Sequence, residues 1–233
     1  MISVAKYLSK GVKEILFPHV CEICGHLLPN SYSFVCDACL NSKFEEPQFF
    51  SDYSTSGAIL PEGVQSQFAM WKFDKGGYLQ DLLHNLKYHQ LSGVGVDLGM
   101  HLGKTLIEKT NLKKTDDWLL VPVPLHYKKE HKRGYNQARV ISNGIQKTMG
   151  FELVKKGVVV RTKNTKTQTG FNLKKRNENI SKAFNVIQLS EIKERDCILV
   201  DDVFTTGATT FELANSLIKA GSKKIMIVTV ACA

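Results

Sequence analysis

The chain has 233 residues, enough for one α/β domain with a small appendage and too few for a multidomain machine. Lys and Arg number 31 against 22 Asp and Glu, a formal net charge of +9, which points to an anionic partner. The excess is local: residues 121–182 hold 15 Lys/Arg and 3 Asp/Glu, a net +12, leaving 16 against 19 elsewhere, a net −3.

In chain order, residues 1–20 are broken by Lys6, Lys10 and Lys13 and so lack the apolar centre of a signal peptide. Val4, Leu8, Val12, Ile15 and Leu16 fall at helical spacing and predict an amphipathic helix that packs on its own protein. The longest apolar run, residues 225–233, is far short of the roughly 20 residues of a membrane span, so no membrane association and a cytoplasmic location are expected.

Cys21, Cys24, Cys36 and Cys39 form C-x2-C-x11-C-x2-C. Two such knuckles bring four thiolates around one tetrahedral zinc, with no open position left for chemistry, so a structural metal is expected. Two disulfides or a redox pair are the alternatives, and both fit poorly with a chain lacking an export signal. His26 is near enough to compete as a ligand and is read as spare. The metal module ends near Pro47, which divides the chain into residues 1–47 and 48–233.

Residues 48–76 are weakly periodic and predict a short strand or hairpin leading into the main domain. Leu79, Leu82, Leu83 and Leu86 mark one helix, and Leu98, Leu102 and Leu106 a second after a break at residues 93–95. Buried strands are predicted at residues 118–124, 158–161, 197–202 and 225–230, with helices at 135–149 and 209–220. The alternation implies an α/β fold with a parallel, doubly wound sheet.

The sharpest element is Ile198-Leu-Val-Asp-Asp-Val-Phe-Thr-Thr-Gly-Ala-Thr-Thr210. A buried strand ends in two carboxylates, a turn of small residues follows, and a helix begins. Backbone N–H groups of Thr205, Thr206, Gly207, Ala208 and Thr209 can converge on one anion, reinforced by the helix dipole. Asp201 and Asp202 beside them would repel phosphate unless they bind hydroxyls or a cation. A ribose 5-phosphate, with a diol next to its phosphate, meets both needs.

This string resembles the phosphoribosyl diphosphate (PRPP) motif of type I phosphoribosyltransferases. With Val121-Pro-Val-Pro-Leu-His126, Arg133-Gly-Tyr-Asn-Gln-Ala138, Arg161-Thr-Lys-Asn-Thr-Lys-Thr-Gln-Thr-Gly170, Arg176-Asn-Glu-Asn179 and Ala183-Phe184 behind a four-Cys module, the chain is similar over residues 15–233 to the ComF family of bacterial competence proteins. The resemblance implies that Asp201 and Asp202 hold the ribose hydroxyls, directly or through metal-bound water, and that residues 205–209 hold the 5-phosphate. It implies that the loop from Pro124 to Gln137, with Lys128, Arg133, Asn136 and Gln137, takes the pyrophosphate end together with Arg161 and Mg²⁺. Residues 162–182 would be the loop that closes over the site. Catalysis, if present, would rest on positioning and charge stabilisation as pyrophosphate leaves. Glu178 and His126 are the candidates for a general base, and the acceptor is open.

Three functions follow as expectations. One is a competence protein that binds PRPP and handles single-stranded DNA, for which Lys128, Lys129, Lys132 and Arg133 with Tyr127 and Tyr135 could track phosphates and stack bases. Another is a metabolic phosphoribosyltransferase acting on a nitrogen nucleophile; residue 2 is Ile, so glutamine use is not expected. The third is a PRPP sensor without turnover that grips a competence helicase-like partner through its zinc module.

Overall fold

In this computed structural model of the protein, residues 18–29, 33–48, 59–163 and 183–233 are described. The helix expected over residues 4–16, and nearly all of the loop expected over 162–182, lie outside them. Within the described residues a short helix, α1 (Asp37–Ser42), precedes a nine-residue strand, β1 (Val64–Lys72), and two helices, α2 (Tyr78–Tyr88) and α3 (Ser92–Lys109). Then come β2 (Trp118–Pro122), α4 (Tyr127–Arg133), α5 (Gln137–Met149), β3 (Glu152–Leu153), β4 (Val159–Arg161), β5 (Phe184–Val186), β6 (Asp196–Phe204), α6 (Ala208–Lys219) and β7 (Ile225–Cys232).

Five strands form one sheet in the order β1-β7-β6-β2-β3, and every pairing in it is parallel. Alternation along the strands divides the apolar residues between two faces. Ile198, Val200, Met226, Val228 and Leu120 turn to the face covered by α2, α3 and α5. Cys197, Leu199, Ile225, Ile227, Leu119 and Val121 turn to the face covered by α6. Helices on both faces of a parallel sheet make the doubly wound architecture that the alternation of strands and helices predicted.

On the first face, α3 and α5 approach closely because glycines meet. A Cβ on Gly99 would stand 2.0 Å from the Ile141 carbonyl oxygen, and one on Gly144 would stand 2.3 Å from that of Val96. The four-Cys segment packs on the same face: Cys21, Val35, Cys39 and Leu40 join the cluster of Leu79, Leu86 and Leu98. Phe44 rests on Trp71 with ring centroids 4.3 Å apart, and Trp71 stacks on His101 at 5.4 Å.

Three expectations are corrected. Residues 64–72 form a full edge strand of the main sheet, because β7 offers them seven partners, Ile225 to Cys232, that no local periodicity announces. The strand at 159–161 stays out of the main sheet and pairs antiparallel with β5, since Val159 and its neighbour Phe184 in β5 both bury in the apolar cluster on the α6 face. Residues 93–95 do not break a helix but sit in the first turn of α3. The break falls before it, where Gln90 takes φ 57°. Among the described residues, no helix is long and apolar enough to cross a membrane.

Candidate functional site

The strand order places a crevice before any side chain is considered. From β6 the chain winds through α6 to β7 on one side, while from β2 it winds through α5 to β3 on the other, with those helices on opposite faces. The carboxyl ends of β2 and β6 therefore border a topological switch point, where loops diverge and a ligand can enter. Asp201 and Asp202 lie near the end of β6, and the segment from Pro124 to Arg133 leaves the end of β2.

The turn after β6 is built for close backbone approach. Gly207 is the N-cap of α6 with φ 73°, and a Cβ there would stand 2.5 Å from the Phe211 ring and 2.9 Å from that of Phe204. No side chain caps the helix, so the first-turn N–H groups stay turned toward the crevice end of α6, the positive end of a twelve-residue helix. Thr205 and Thr206 are exposed, and Ala208 and Thr209 are half-buried. Buried Thr210 is used locally, its hydroxyl donating to the Gly207 carbonyl at 3.0 Å.

The two carboxylates differ. Asp202 is buried and its Oδ2 is ion-paired with Lys87 Nζ, while its Oδ1 accepts the Val203 N–H at 3.0 Å. Burial pushes the Asp202 carboxyl up, yet the Lys87 ammonium and these hydrogen bonds hold it below the usual carboxylate range. Asp201 accepts the Asp202 N–H at 2.9 Å. Burial, followed by the charge of Asp202, pushes Asp201 well above the usual range.

Facing the acids is a basic group. Arg161, in β4, is held below the ordinary arginine value by burial, with Asp201 pulling the other way, and its guanidinium lies 5.3 Å from the Phe184 ring centre. Arg133 donates to Gln137 Oε1 and lies 5.5 Å from the Tyr88 ring centre. Lys129 is pushed down by burial and then by the charges of Arg161 and Arg133. Lys128 is exposed, its Nζ 6.0 Å from the Tyr127 ring centre.

Of the remaining loop residues, Asn136 is committed to the fold. Its Nδ2 donates to the Val123 carbonyl at 2.9 Å, and its Oδ1 accepts the N–H groups of Ala138 and Arg139, capping α5. His126 is buried, and its Nδ1 accepts the Lys128 N–H at 3.3 Å, capping α4. Tyr135 is half-buried and its hydroxyl donates to the Leu86 carbonyl. Glu178, Lys163's successors in the 164–182 segment and its cations lie outside the described residues.

Lys87 joins the site unmarked by the sequence, and Lys129, expected among the cations that track DNA phosphates, lies close to Arg161 and Arg133. Lys129 sits in the basic run and its spacing was visible. Lys87 follows the buried face of α2, and only its packing under the sheet brings its ammonium to a carboxylate more than a hundred residues away.

The second candidate centre is the cysteine cluster. All six cysteines are unbridged, and the sulfurs of Cys21, Cys24, Cys36 and Cys39 lie within 4.8 Å of one another. The Cys24 and Cys36 sulfurs are 3.8 Å apart, the separation expected when two thiolates bind one tetrahedral zinc at about 2.3 Å. Backbone N–H groups of Cys36 and Cys39 reach the sulfurs of Cys21 and Cys36 at 3.4 Å each. Burial and neighbouring sulfurs push Cys39 up, whereas Cys21, raised by burial, is brought by donors from Cys24, Cys36 and Ile23 down to about 7. Crowded sulfurs that oppose one another's ionisation are what a divalent cation reconciles, so the donor set fits zinc. His26 is not part of the cluster.

No family model matches the chain. Competence protein F of Haemophilus influenzae is 36% identical over 109 residues, 46% of this chain and 47% of that protein. DNA utilization protein YhgH of Escherichia coli is 29% identical over 153 residues, 64% of this chain and 65% of that protein. Competence protein ComFC of Bacillus subtilis is 27% identical over 104 residues, 45% of this chain and 40% of that protein. The chain thus matches about half of the first relative's length and less than two thirds of the others'. Among solved structures, the glutamine PRPP amidotransferase of Bacillus subtilis, complexed with ADP and GMP, aligns with a TM-score of 0.39 and 14% identity over 59% of this chain and 26% of that one. By sequence the chain is similar to competence protein F, to competence protein ComFC and to the DNA utilization protein YhgH, each over part of its length.

Proposed function

We propose that the crevice between β2 and β6 binds PRPP with Mg²⁺, and that the protein is a phosphoribosyltransferase-like component of DNA uptake that handles single-stranded DNA in the cytoplasm. The observation that carries this reading is one juxtaposition: Asp201 and Asp202 at the end of β6, the uncapped start of α6 beside them, and the cations Arg133, Arg161 and Lys129 opposite.

In this reading the carboxylates of Asp201 and Asp202 accept from the ribose hydroxyls. The N–H groups of residues 205–209 hold the 5-phosphate at the positive end of α6. Lys128, Arg133 and Arg161 face the pyrophosphate end, Gln137 orients Arg133, and Asn136 fixes the loop by capping α5. Mg²⁺, when bound, would supply positive charge to the pyrophosphate, and Asp201 and Asp202 are the hard oxygen donors of the crevice that would hold it. The four cysteines hold a structural zinc, and residues 1–47 and 48–233 are its two functional divisions.

For DNA, support comes from the names of the relatives and from exposed Lys128, Lys132 and Tyr127 on α4. Removing the charges of Lys128, Lys132 and Arg133 should then weaken single-stranded DNA binding at low salt.

The test is calorimetric titration of the zinc-loaded protein with PRPP and Mg²⁺, beside a variant carrying Asp201→Ala and Asp202→Ala, with pyrophosphate assayed in the same samples. Binding lost in the variant supports the site, and pyrophosphate release separates a transferase from a sensor. Wild-type protein that does not bind millimolar PRPP removes the ligand from the reading.

A further inference from the structure

Lys87 reaches the crevice from the last turn of α2, beside Tyr88, on whose ring Arg133 rests. Leu79, Leu82, Leu83 and Leu86 bury one face of α2 in the core, and the Tyr135 hydroxyl holds the Leu86 carbonyl, so the backbone is pinned one residue before Lys87. The lysine side chain keeps 26% of its surface exposed and its Asp202 partner 9%.

An ion pair so placed is weak evidence of a stabilising role, because desolvating two charges offsets most of their attraction. Nor does the pair close the local charge balance. Asp201 adjoins it on the acidic side, and Arg133, whose charge Lys87 also feels, adjoins it on the basic side, leaning on the ring of Tyr88 next to Lys87. Lys87 therefore stands between the carboxylates that face a ribose diol and the cation that faces pyrophosphate. A lysine ammonium on a four-carbon stem can exchange partners without movement of the helix that carries it.

We propose that Lys87 is a ligand residue for the pyrophosphate group, exchanging its pair with Asp202 for phosphoryl oxygens when ribose hydroxyls bind Asp202. This rests on the reading of the crevice as a PRPP site. It makes the lysine specific for the diphosphate arm: ribose 5-phosphate shares the diol and the 5-phosphate but has nothing for Lys87 to hold.

The experiment measures affinities of the full chain, with Mg²⁺, for PRPP, ribose 5-phosphate and inorganic pyrophosphate, in wild type, Lys87→Met, Lys87→Arg and Lys87→Met combined with Asp202→Asn. The expected result is a loss of about tenfold or more for PRPP and pyrophosphate in Lys87→Met, as for removal of a charge-assisted contact. Ribose 5-phosphate should stay within about twofold, and Lys87→Arg should recover part of the loss. The pyrophosphate loss should persist in the Asp202→Asn background, where the Lys87–Asp202 ion pair is already gone. Equal losses for PRPP and ribose 5-phosphate, or disappearance of the effect in that background, would overturn the role of Lys87 while leaving the crevice reading intact. Wild-type protein that binds none of the three ligands overturns both. A mutant-free readout guards against misfolding: acetylation of wild-type Lys87, followed by mass spectrometry, should be slowed by pyrophosphate and accelerated by ribose 5-phosphate, and no change with either ligand counts against the proposal.

Discussion

Asp97, in α3, accepts the backbone N–H of Val35 at 3.1 Å across 62 residues of sequence, and the same carboxylate oxygen accepts that of Phe34. Val35 immediately precedes Cys36, so a helix of the sheet-covering layer holds the backbone beside one of the four clustered cysteines. Phe34 also lies against Gly93 in the first turn of that helix, where a Cβ would stand 1.9 Å from its ring. Glu45 and Glu46 add ion pairs to Lys72 and Lys109, but both carboxylates are exposed and contribute little.

Removing this anchor should separate seating of the cysteine module from metal binding. Asp97→Ala leaves the buried Val35 N–H and the half-buried Phe34 N–H without their acceptor and is expected to destabilise the protein by about 2–3 kcal/mol, a fall in melting temperature on the order of 5–10 °C. Zinc content, measured by elemental analysis, should remain one per chain. Cys36→Ser should instead abolish it, and chelation of the wild type should lower the melting temperature. Loss of zinc from Asp97→Ala would mean that the site does not form without its seat on α3.

The acidic pair predicts opposite responses to pH. Asp201 is raised by burial and by Asp202. Between the ordinary carboxylate range and its raised value, the folded chain keeps a proton that the unfolded chain has released, so the Asp201 contribution to stability is lost as pH rises through that window. Asp201→Asn should therefore be more stable than wild type at pH 7, with the advantage shrinking toward pH 4.

Asp202 is raised by burial but held low overall by Lys87. Its contribution is present above the ordinary carboxylate range and is lost as pH falls through its lowered value. Asp202→Asn should cost about 2–3 kcal/mol at pH 7. That is less than the roughly 3–5 kcal/mol for breaking a fully buried pair, because Lys87 keeps about a quarter of its surface in water. Thermal denaturation of both variants across pH 4–8 checks the signs, and parallel curves for the two would refute the assignment.

Gly207 tests the turn itself. Its φ of 73° is a conformation that an L side chain strains to adopt, and Phe211 and Phe204 fill the space of a Cβ. Gly207→Ala should destabilise by about 2–3 kcal/mol, roughly half from the backbone and half from displaced rings. Phosphate-containing ligands should weaken further than stability alone explains, measured by titration at a temperature where the variant is fully folded. Unchanged affinity would place the 5-phosphate elsewhere than the start of α6.

Amino-acid order alone determined the features whose physics is local. Two cysteine pairs, each with two residues between, spell a metal-knuckle pattern, and Asp201, Asp202 and the small residues after them spell a strand that turns into a helix. Leu79, Leu82, Leu83 and Leu86 declared a helix by spacing, whereas the helix expected from residue 135 starts at Gln137 with Asn136 as its N-cap. Tertiary structure decided everything that depends on a distant partner. Residues 64–72 became a strand because β7 offered an edge, while residues 159–161 were drawn to β5 and away from the main sheet. Lys87 became part of the crevice because the buried face of α2 aims it at Asp202. Helical periodicity, capping and knuckle spacing are set by contacts within about four residues, whereas strand pairing and charge convergence are set by which surfaces the chain can bury together.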